Sequence, residues 1–291
     1  MAASASLGAS ARAAAAGPLL TRKIPSSGES LPALGLGTSG SFEVGDSPKE
    51  REPLKEVLHA FFAAGGRLID TSPMYSTAEA VLGDLLTPSM QERVFLATKV
   101  WTRGEAEGVE QMKHSAQVMK HPKLDLIQVH NLLDLDTHLK TLRAWKDEGR
   151  VRYIGVTHYT VGAHAELEKV IEREKLDFVQ LNYSATTRDA EQRLLPLAAD
   201  RGVAVLVNRP FEDGRMFQLV EGRPLPQWAA DIECTSWGQI FLKFVLSHPA
   251  VTCAIPATSK VKHLQDNLAA ARGRMPDAKQ RELIAQELEG T

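Results

Sequence analysis

Apolar residues along the chain fall into two alternating kinds of run. The short stretches "LGLGT", "RLIDTS", "VFLATKV", "LDLIQVH", "RYIGVTH", "DFVQLNY", "VAVLVNR" and "VTCAIPA" are nearly continuous in Val, Ile and Leu, as strands buried on both faces should be. Between them apolar positions recur at helical spacing. Leu54, Val57, Leu58, Phe61 and Phe62 stand at i, i+3, i+4, i+7 and i+8, and Gly65-Gly66 follows as a stop. "LDTHLKTLRAWKDEG", "HAELEKVIEREK", "EQRLLPLAADRG" and "SWGQIFLKFVLSHP" repeat the scheme. Eight strand runs alternating with helices indicate parallel β–α units, and right-handed crossovers allow a closed barrel or an open doubly wound sheet. The strand count fills a barrel without remainder. The expectation is therefore an α/β protein, a (β/α)8 TIM barrel forming a single domain over residues 21–291. "TRKIPSSGESLPAL" should add an N-terminal β-hairpin, "VKHLQDNLAAA" the last barrel helix and "DAKQRELIAQELE" an extra C-terminal helix.

One motif competes with this picture. In "GLGTSG", Gly35, Gly37 and Gly40 have the spacing of the dinucleotide fingerprint. That fingerprint holds a pyrophosphate only where the loop leads directly into a helix. Here "SFEVGDSPKEREP" intervenes, polar and broken by Gly45 and Pro48, with no helical period before Leu54. The stretch is expected to be a strand end and loop, and any nucleotide site should lie elsewhere.

Composition narrows the function without naming it. A length of 291 residues suits one barrel of about 250 residues. No apolar run reaches the roughly 18 residues of a membrane span, so membrane insertion is not expected. Acids and bases are interleaved and sum to −2, which leaves no broad basic face for nucleic acid. Cys234 and Cys253 lack metal or redox spacing and are expected as two buried thiols, a single disulfide being the alternative. The head "MAASASLGASARAAAAGP" carries the small-residue sequence "ASARA", as an export signal does near its cleavage point, but lacks a charged start and an apolar core. Residues 1–20 are expected to be either a signal remnant or a disordered tail. Localisation is cytoplasmic by default and exported if the remnant reading holds.

In a parallel barrel the functional face lies at the C-terminal ends of the strands. Asp70 closes "RLID", Lys99 closes "FLATK", His130 closes "LIQVH", and Tyr75 lies in the loop after Asp70. Singly these read as a helix cap, a surface charge, a core imidazole and loop packing. Together they converge on one rim and fit one task. A neighbouring ammonium lowers a phenol's pKa, so Lys99 is expected to do this to Tyr75. A lysine in the barrel mouth needs a counter-charge, and Asp70 can supply it. The product is a tyrosine able to give a proton to a carbonyl oxygen that His130 orients.

"GGRLIDTSPMYSTAEAVLG", "FLATKV", "LDLIQVHN" and "CAIPATSKVKHLQDNLAA" resemble the aldo-keto reductase superfamily from about Leu34 to Ala271. The resemblance implies reduction of aldehydes and ketones by a nicotinamide cofactor in a (β/α)8 barrel. It makes Asp70, Tyr75, Lys99 and His130 the catalytic tetrad, with hydride from the cofactor's C4 and the proton from Tyr75. It implies that an extended cofactor, NADP(H) with NAD(H) as the alternative, touches Gly37, Thr38 and Asp70 near the nicotinamide. Further contacts would come from Thr157, His158, Gln180, Asn208, Arg209, Pro210 and Phe211. At the phosphate end the implied residues are Thr258, Ser259, Lys260, His263, Asp266 and Asn267, where a helix start offers backbone donors and Lys260 and Lys262 offer positive charge. Phe42, Trp101 and Asn131 are expected to line the substrate pocket.

The sequence departs from the family pattern at several of these positions. Thr157-His158 stands where Ser-Asn is common, Asn208 where an aromatic stacks on the nicotinamide, His263 where an Arg meets the 2′-phosphate, and Asn131 where an aromatic follows the tetrad histidine. The expected partners are a small-molecule carbonyl substrate and the cofactor. The competing reading is a cofactor-binding regulatory or partner subunit with little turnover. A metal-dependent barrel hydrolase has no support, because neither HxH nor HExxH occurs and "HAELE" falls on an exterior helix.

Overall fold

The computed structural model describes residues 17–289. A short antiparallel pair, β1 (Thr21–Lys23) and β2 (Ser30–Pro32), opens the chain. There follow β3 (Leu36–Gly37), α1 (Pro48–Ala63), β4 (Leu68–Asp70), α2 (Ala78–Leu85), α3 (Pro88–Gln91), β5 (Phe95–Val100), α4 (Glu105–Val118) and β6 (Leu124–His130). The second half runs through α5 (Leu135–Asp147), β7 (Val151–Thr157), α6 (His164–Arg173), β8 (Phe178–Asn182), α7 (Leu194–Asp200), β9 (Ala204–Asn208) and α8 (Arg215–Leu219). It ends with α9 (Trp237–Leu246), β10 (Val251–Ala254), α10 (Val261–Ala270) and α11 (Ala278–Glu289). Residues 1–16, which carry most of the export-signal reading, lie outside the described residues. From Leu20 the chain is tied down, its N–H donating to Ala271 O at 2.7 Å.

The strands β3 to β10 form one eight-stranded parallel sheet in sequence order. Parallel bridges Leu34↔Ala254 and Gly37↔Ala257 join its two edges, and Gly35 N–H donates to Ala254 O at 2.8 Å across that seam. The sheet is thus the expected (β/α)8 barrel, with the hairpin and the extra helix α11 in the expected places. Gly35 and Gly37 belong to this seam. A Cβ on Gly37 would stand 2.6 Å from Ile255 O and one on Gly35 2.8 Å from Leu68 O, so the close approach of neighbouring strands demands glycine. Gly40 sits in the following turn at φ +67°. No helix starts until Pro48, and the fingerprint spacing in "GLGTSG" is a product of barrel closure.

The hairpin closes the other end. Ile24 and Leu31, both fully buried, pack with Leu68, Phe95, Phe178 and Leu206 inside the barrel. The larger core lies between sheet and helices, where Val57, Leu58 and Phe61 of α1 are fully buried, as their spacing required. Register then sets the site. Lys99 pairs with Gln128, His130 with Thr157, and Thr157 with Gln180, so polar residues of adjacent strands share one level at the C-terminal rim.

Candidate active site

Asp70 ends β4 and Lys99 is the last residue but one of the neighbouring β5, and both side chains are buried. Lys99 is 0% exposed. Its Nζ donates to Asp70 Oδ2 and to Thr71 O, each at 2.7 Å. Burial pulls this lysine's pKa down, but the Asp70 carboxylate, helped by Tyr75, outweighs it and the net shift is upward. The group stays an ammonium. The other carboxylate oxygen, Asp70 Oδ1, accepts from Gln180 Nε2 at 2.8 Å and from Gln128 Nε2 at 3.3 Å. Gln180 Oε1 in turn accepts from Thr157 Oγ1 at 3.2 Å and Asn208 Nδ2 at 3.3 Å. A hydrogen-bonded layer therefore crosses the mouth from β5 to β9, and each member holds the next.

Tyr75 lies on the loop after β4, where its N–H donates to Ser72 O at 3.0 Å. The Lys99 ammonium stands 5.0 Å from its ring centroid. Proximity alone predicts that this charge lowers the phenol's pKa. Burial is the larger effect and the net shift is upward, with Lys99 opposing it. The phenol therefore keeps its proton. His130 meets Tyr75 edge-on at 6.5 Å between centroids, and Trp101 packs against it at a tilt, 6.2 Å away. Burial first, then the Lys99 charge and His158, push the imidazole down to about 3, so it is neutral across the physiological range.

These groups open on a cleft of about 1330 Å3 that runs over the C-terminal rim. The expected residues Gly37, Thr38, Trp101, Asn131, Thr157, Gln180, Asn208, Arg209, Pro210 and Phe211 line it, as do Thr258, Ser259, Lys260, His263, Asp266 and Asn267. Helix α10 has Lys260 as its N-cap with no side-chain cap, so its first N–H groups remain free for an anion. Lys260 and His263 are exposed beside them, whereas Asp266 is occupied, accepting from Ser236 Oγ at 2.6 Å and Gln239 Nε2 at 2.7 Å.

Two expected residues fall elsewhere. Phe42 is fully buried in the core. Its N–H closes a turn onto Thr38 O at 3.0 Å, and that turn carries the ring inward, where an aromatic gains most from burial. His158 faces its own loop, its Nδ1 accepting from Tyr159 N–H at 3.0 Å while its ring stacks on Tyr159. Sequence reasoning missed Gln128, Ser72, Met74, Tyr159, Phe217 and Trp237. Gln128 carried a signal, because it stands two residues before His130 and so shares its strand face. The others sit on irregular loops or at helix positions where no period singles them out.

The eight-stranded barrel, with a buried Lys–Asp pair beside a tyrosine and a histidine at the mouth, defines the class of protein. The sequence model of the aldo/keto reductase family matches residues 33–285, and the chain belongs to that family. A curated relative, methylglyoxal reductase YeaE of Escherichia coli (strain K12), is 28% identical over 247 residues, covering 82% of this chain and 85% of its own. An aldo-keto reductase from Klebsiella pneumoniae, solved in complex with NADPH, superposes with a TM-score of 0.79 at 23% identity, covering 93% of this chain and 95% of its own. The holo form of an aldo-keto reductase from Bacillus halodurans gives 0.75 at 21% identity, covering 93% and 96%. Among the described residues no helix is long and apolar enough to cross a membrane, and no cluster of metal-ligating side chains occurs. The two cysteines are buried and unpaired.

Proposed function

We propose that the protein is an NADP(H)-dependent reductase of small aldehydes and ketones, with Tyr75 as proton donor. The observation that carries this reading is the fully buried ammonium of Lys99, held by Asp70 and lying 5.0 Å from the Tyr75 ring at the base of the cleft. A buried ion pair is costly to assemble, and at this position it serves a phenol that must release a proton.

The residues present fit a nicotinamide dinucleotide. Among the described residues Asn208 Oδ1 is buried without a partner at the cleft and is available to a carboxamide N–H, while Thr157 and Gln180 beside it are held within the hydrogen-bonded layer. At the far end the uncapped start of α10, with Ser259, Lys260 and His263, suits phosphate. The volume exceeds the roughly 300–1,000 Å3 of ordinary small-ligand sites, leaving room for cofactor and substrate together. A nicotinamide held there would supply the hydride to the carbonyl carbon. Tyr75 supplies the proton to the carbonyl oxygen, so one carbonyl becomes one alcohol as the cofactor is oxidised. Lys99 stabilises the phenolate left behind until solvent reprotonates it. His130, being neutral, directs the oxygen by hydrogen bonding without competing for the proton. Met74 and Trp101, both exposed at the mouth, give the substrate an apolar wall.

The relatives support carbonyl reduction in general, and methylglyoxal is a natural first substrate to try. Titration of the protein with NADPH and NADH, followed by the fluorescence of Trp101 and Trp237 at the cleft, tests cofactor choice. Tighter NADPH binding with turnover of methylglyoxal or nitrobenzaldehyde is expected. Tight binding with no turnover of any carbonyl would favour the regulatory-subunit reading.

A further inference from the structure

A neutral histidine can orient a carbonyl oxygen only if its proton is on the nitrogen that faces the substrate. His130 lines the cleft and its Nε2 has no hydrogen-bond partner among the described residues, whereas Nδ1 lies 3.5 Å from Ser72 Oγ. Ser72 is 0% exposed. Its hydroxyl oxygen already accepts from Met74 N–H at 3.2 Å. The hydroxyl proton therefore needs an acceptor, and His130 Nδ1 is the one within reach. Were Nδ1 protonated, it would donate to Ser72 Oγ and leave the buried Ser72 proton without an acceptor, at a cost of about 1–3 kcal/mol for such a group. With Nδ1 bare, every group is satisfied and the ring proton moves to Nε2.

From this count of donors and acceptors we infer that Ser72 is a positioning residue that fixes His130 as the Nε2–H tautomer and so aims a donor at the substrate oxygen. Met74 N–H is part of the device, since by occupying the Ser72 oxygen it turns the hydroxyl toward His130. The neutrality of His130 makes the tautomer, and not the charge, the variable that matters. The same loop carries Tyr75, whose N–H is bonded to Ser72 O. A single residue thus touches both the histidine and the tyrosine of the site, one through its side chain and the other through its backbone. The catalytic consequence rests on the reductase reading, but the tautomer itself does not.

The test is two-bond proton–nitrogen NMR on the free protein labelled with nitrogen-15 histidine at pH 7, with the His130 signals assigned by their loss in His130→Gln. The wild type should show a pyrrole-type Nε2 and a pyridine-type Nδ1. Ser72→Ala should move both resonances toward the average of the two tautomers, and Ser72→Thr, which restores the hydroxyl, should return them. In turnover, Ser72→Ala should lower kcat about twofold, in proportion to the lost population of donor tautomer, with NADPH affinity unchanged. A wild-type His130 protonated on Nδ1, or spectra identical in wild type and Ser72→Ala, would overturn the inference. Because the spectra are taken without cofactor or substrate, they decide the matter even if no carbonyl is reduced. If the wild type shows the expected tautomer yet reduces nothing, the reductase reading fails alone.

Discussion

The two sides of the barrel mouth are built differently. On the side of β4, β5 and β6, Asp70, Lys99 and Gln128 are 2% or less exposed, and each is held by protein groups. On the side of β9 and α10, Lys260, Lys262 and His263 are exposed. The loop after β9 there keeps Arg209, Glu212 and Asp213 at positive φ, a conformation that non-glycine residues adopt only when their surroundings impose it. Proton transfer needs atoms fixed to a fraction of an ångström, and burial with full hydrogen bonding provides that. A large charged cofactor, as proposed, would have to enter and leave, which suits a side that keeps its charges in water and one strained loop for contact. On the proposed reading the dry side would carry the chemistry and the wet side the affinity.

Damage to the dry side should be the most severe. Lys99→Met leaves the Asp70 carboxylate buried without its cation, which should cost about 3–5 kcal/mol of stability. With Tyr75 deprived of its neighbouring charge, kcat/KM should fall by about two to four orders of magnitude. Urea unfolding and steady-state kinetics on the same preparation measure both, and loss of rate without loss of stability would separate the two roles given to Lys99.

On the wet side, the loop after β9 depends on Glu212, one of whose oxygens accepts from the hydroxyls of Ser184, Thr186 and Thr187. Burial opposes ionisation there, but those hydroxyls and Arg215 outweigh it and hold the carboxyl down at about 2. A carboxylate with a depressed folded-state pKa stabilises the fold above its ordinary value near 4.5 and loses that effect as pH falls toward 2. Discounted for partial exposure, the contribution is about 1–2 kcal/mol. Glu212→Gln should therefore lower Tm at pH 7, and the gap from wild type should close between pH 4.5 and pH 2. A gap independent of pH would mean that hydrogen bonding alone, without charge, holds the loop.

The smallest effect is expected at the exposed cation of α10. Lys260→Ala should weaken NADPH about three- to tenfold, the scale of one charge-assisted contact in water, and leave NADH unchanged. Equal loss for both cofactors would place Lys260 at the pyrophosphate and not at the 2′-phosphate.

The same contrast decides what could be read from the sequence. Strands buried on both faces leave continuous apolar runs, so the barrel and the shared level of Asp70, Lys99 and His130 were legible in the order of residues alone. Helix α4 was not, because the positions it buries include Gly108, Met112 and Ser115, which leave no apolar stripe. Phe42 and His158 lie off the cleft lining because loop turns, not strand alternation, aim them. The direction of the Tyr75 shift was misjudged because the sequence shows which charge is near but not how much water is excluded.

Proton donation by Tyr75 is read out by single-turnover reduction of nitrobenzaldehyde by protein preloaded with NADPH. Tyr75→Phe keeps the ring and should keep NADPH binding, while the rate of cofactor oxidation falls by about two to four orders of magnitude. Equal rates in Tyr75→Phe and wild type at every pH from about 6 to 9 would contradict the account.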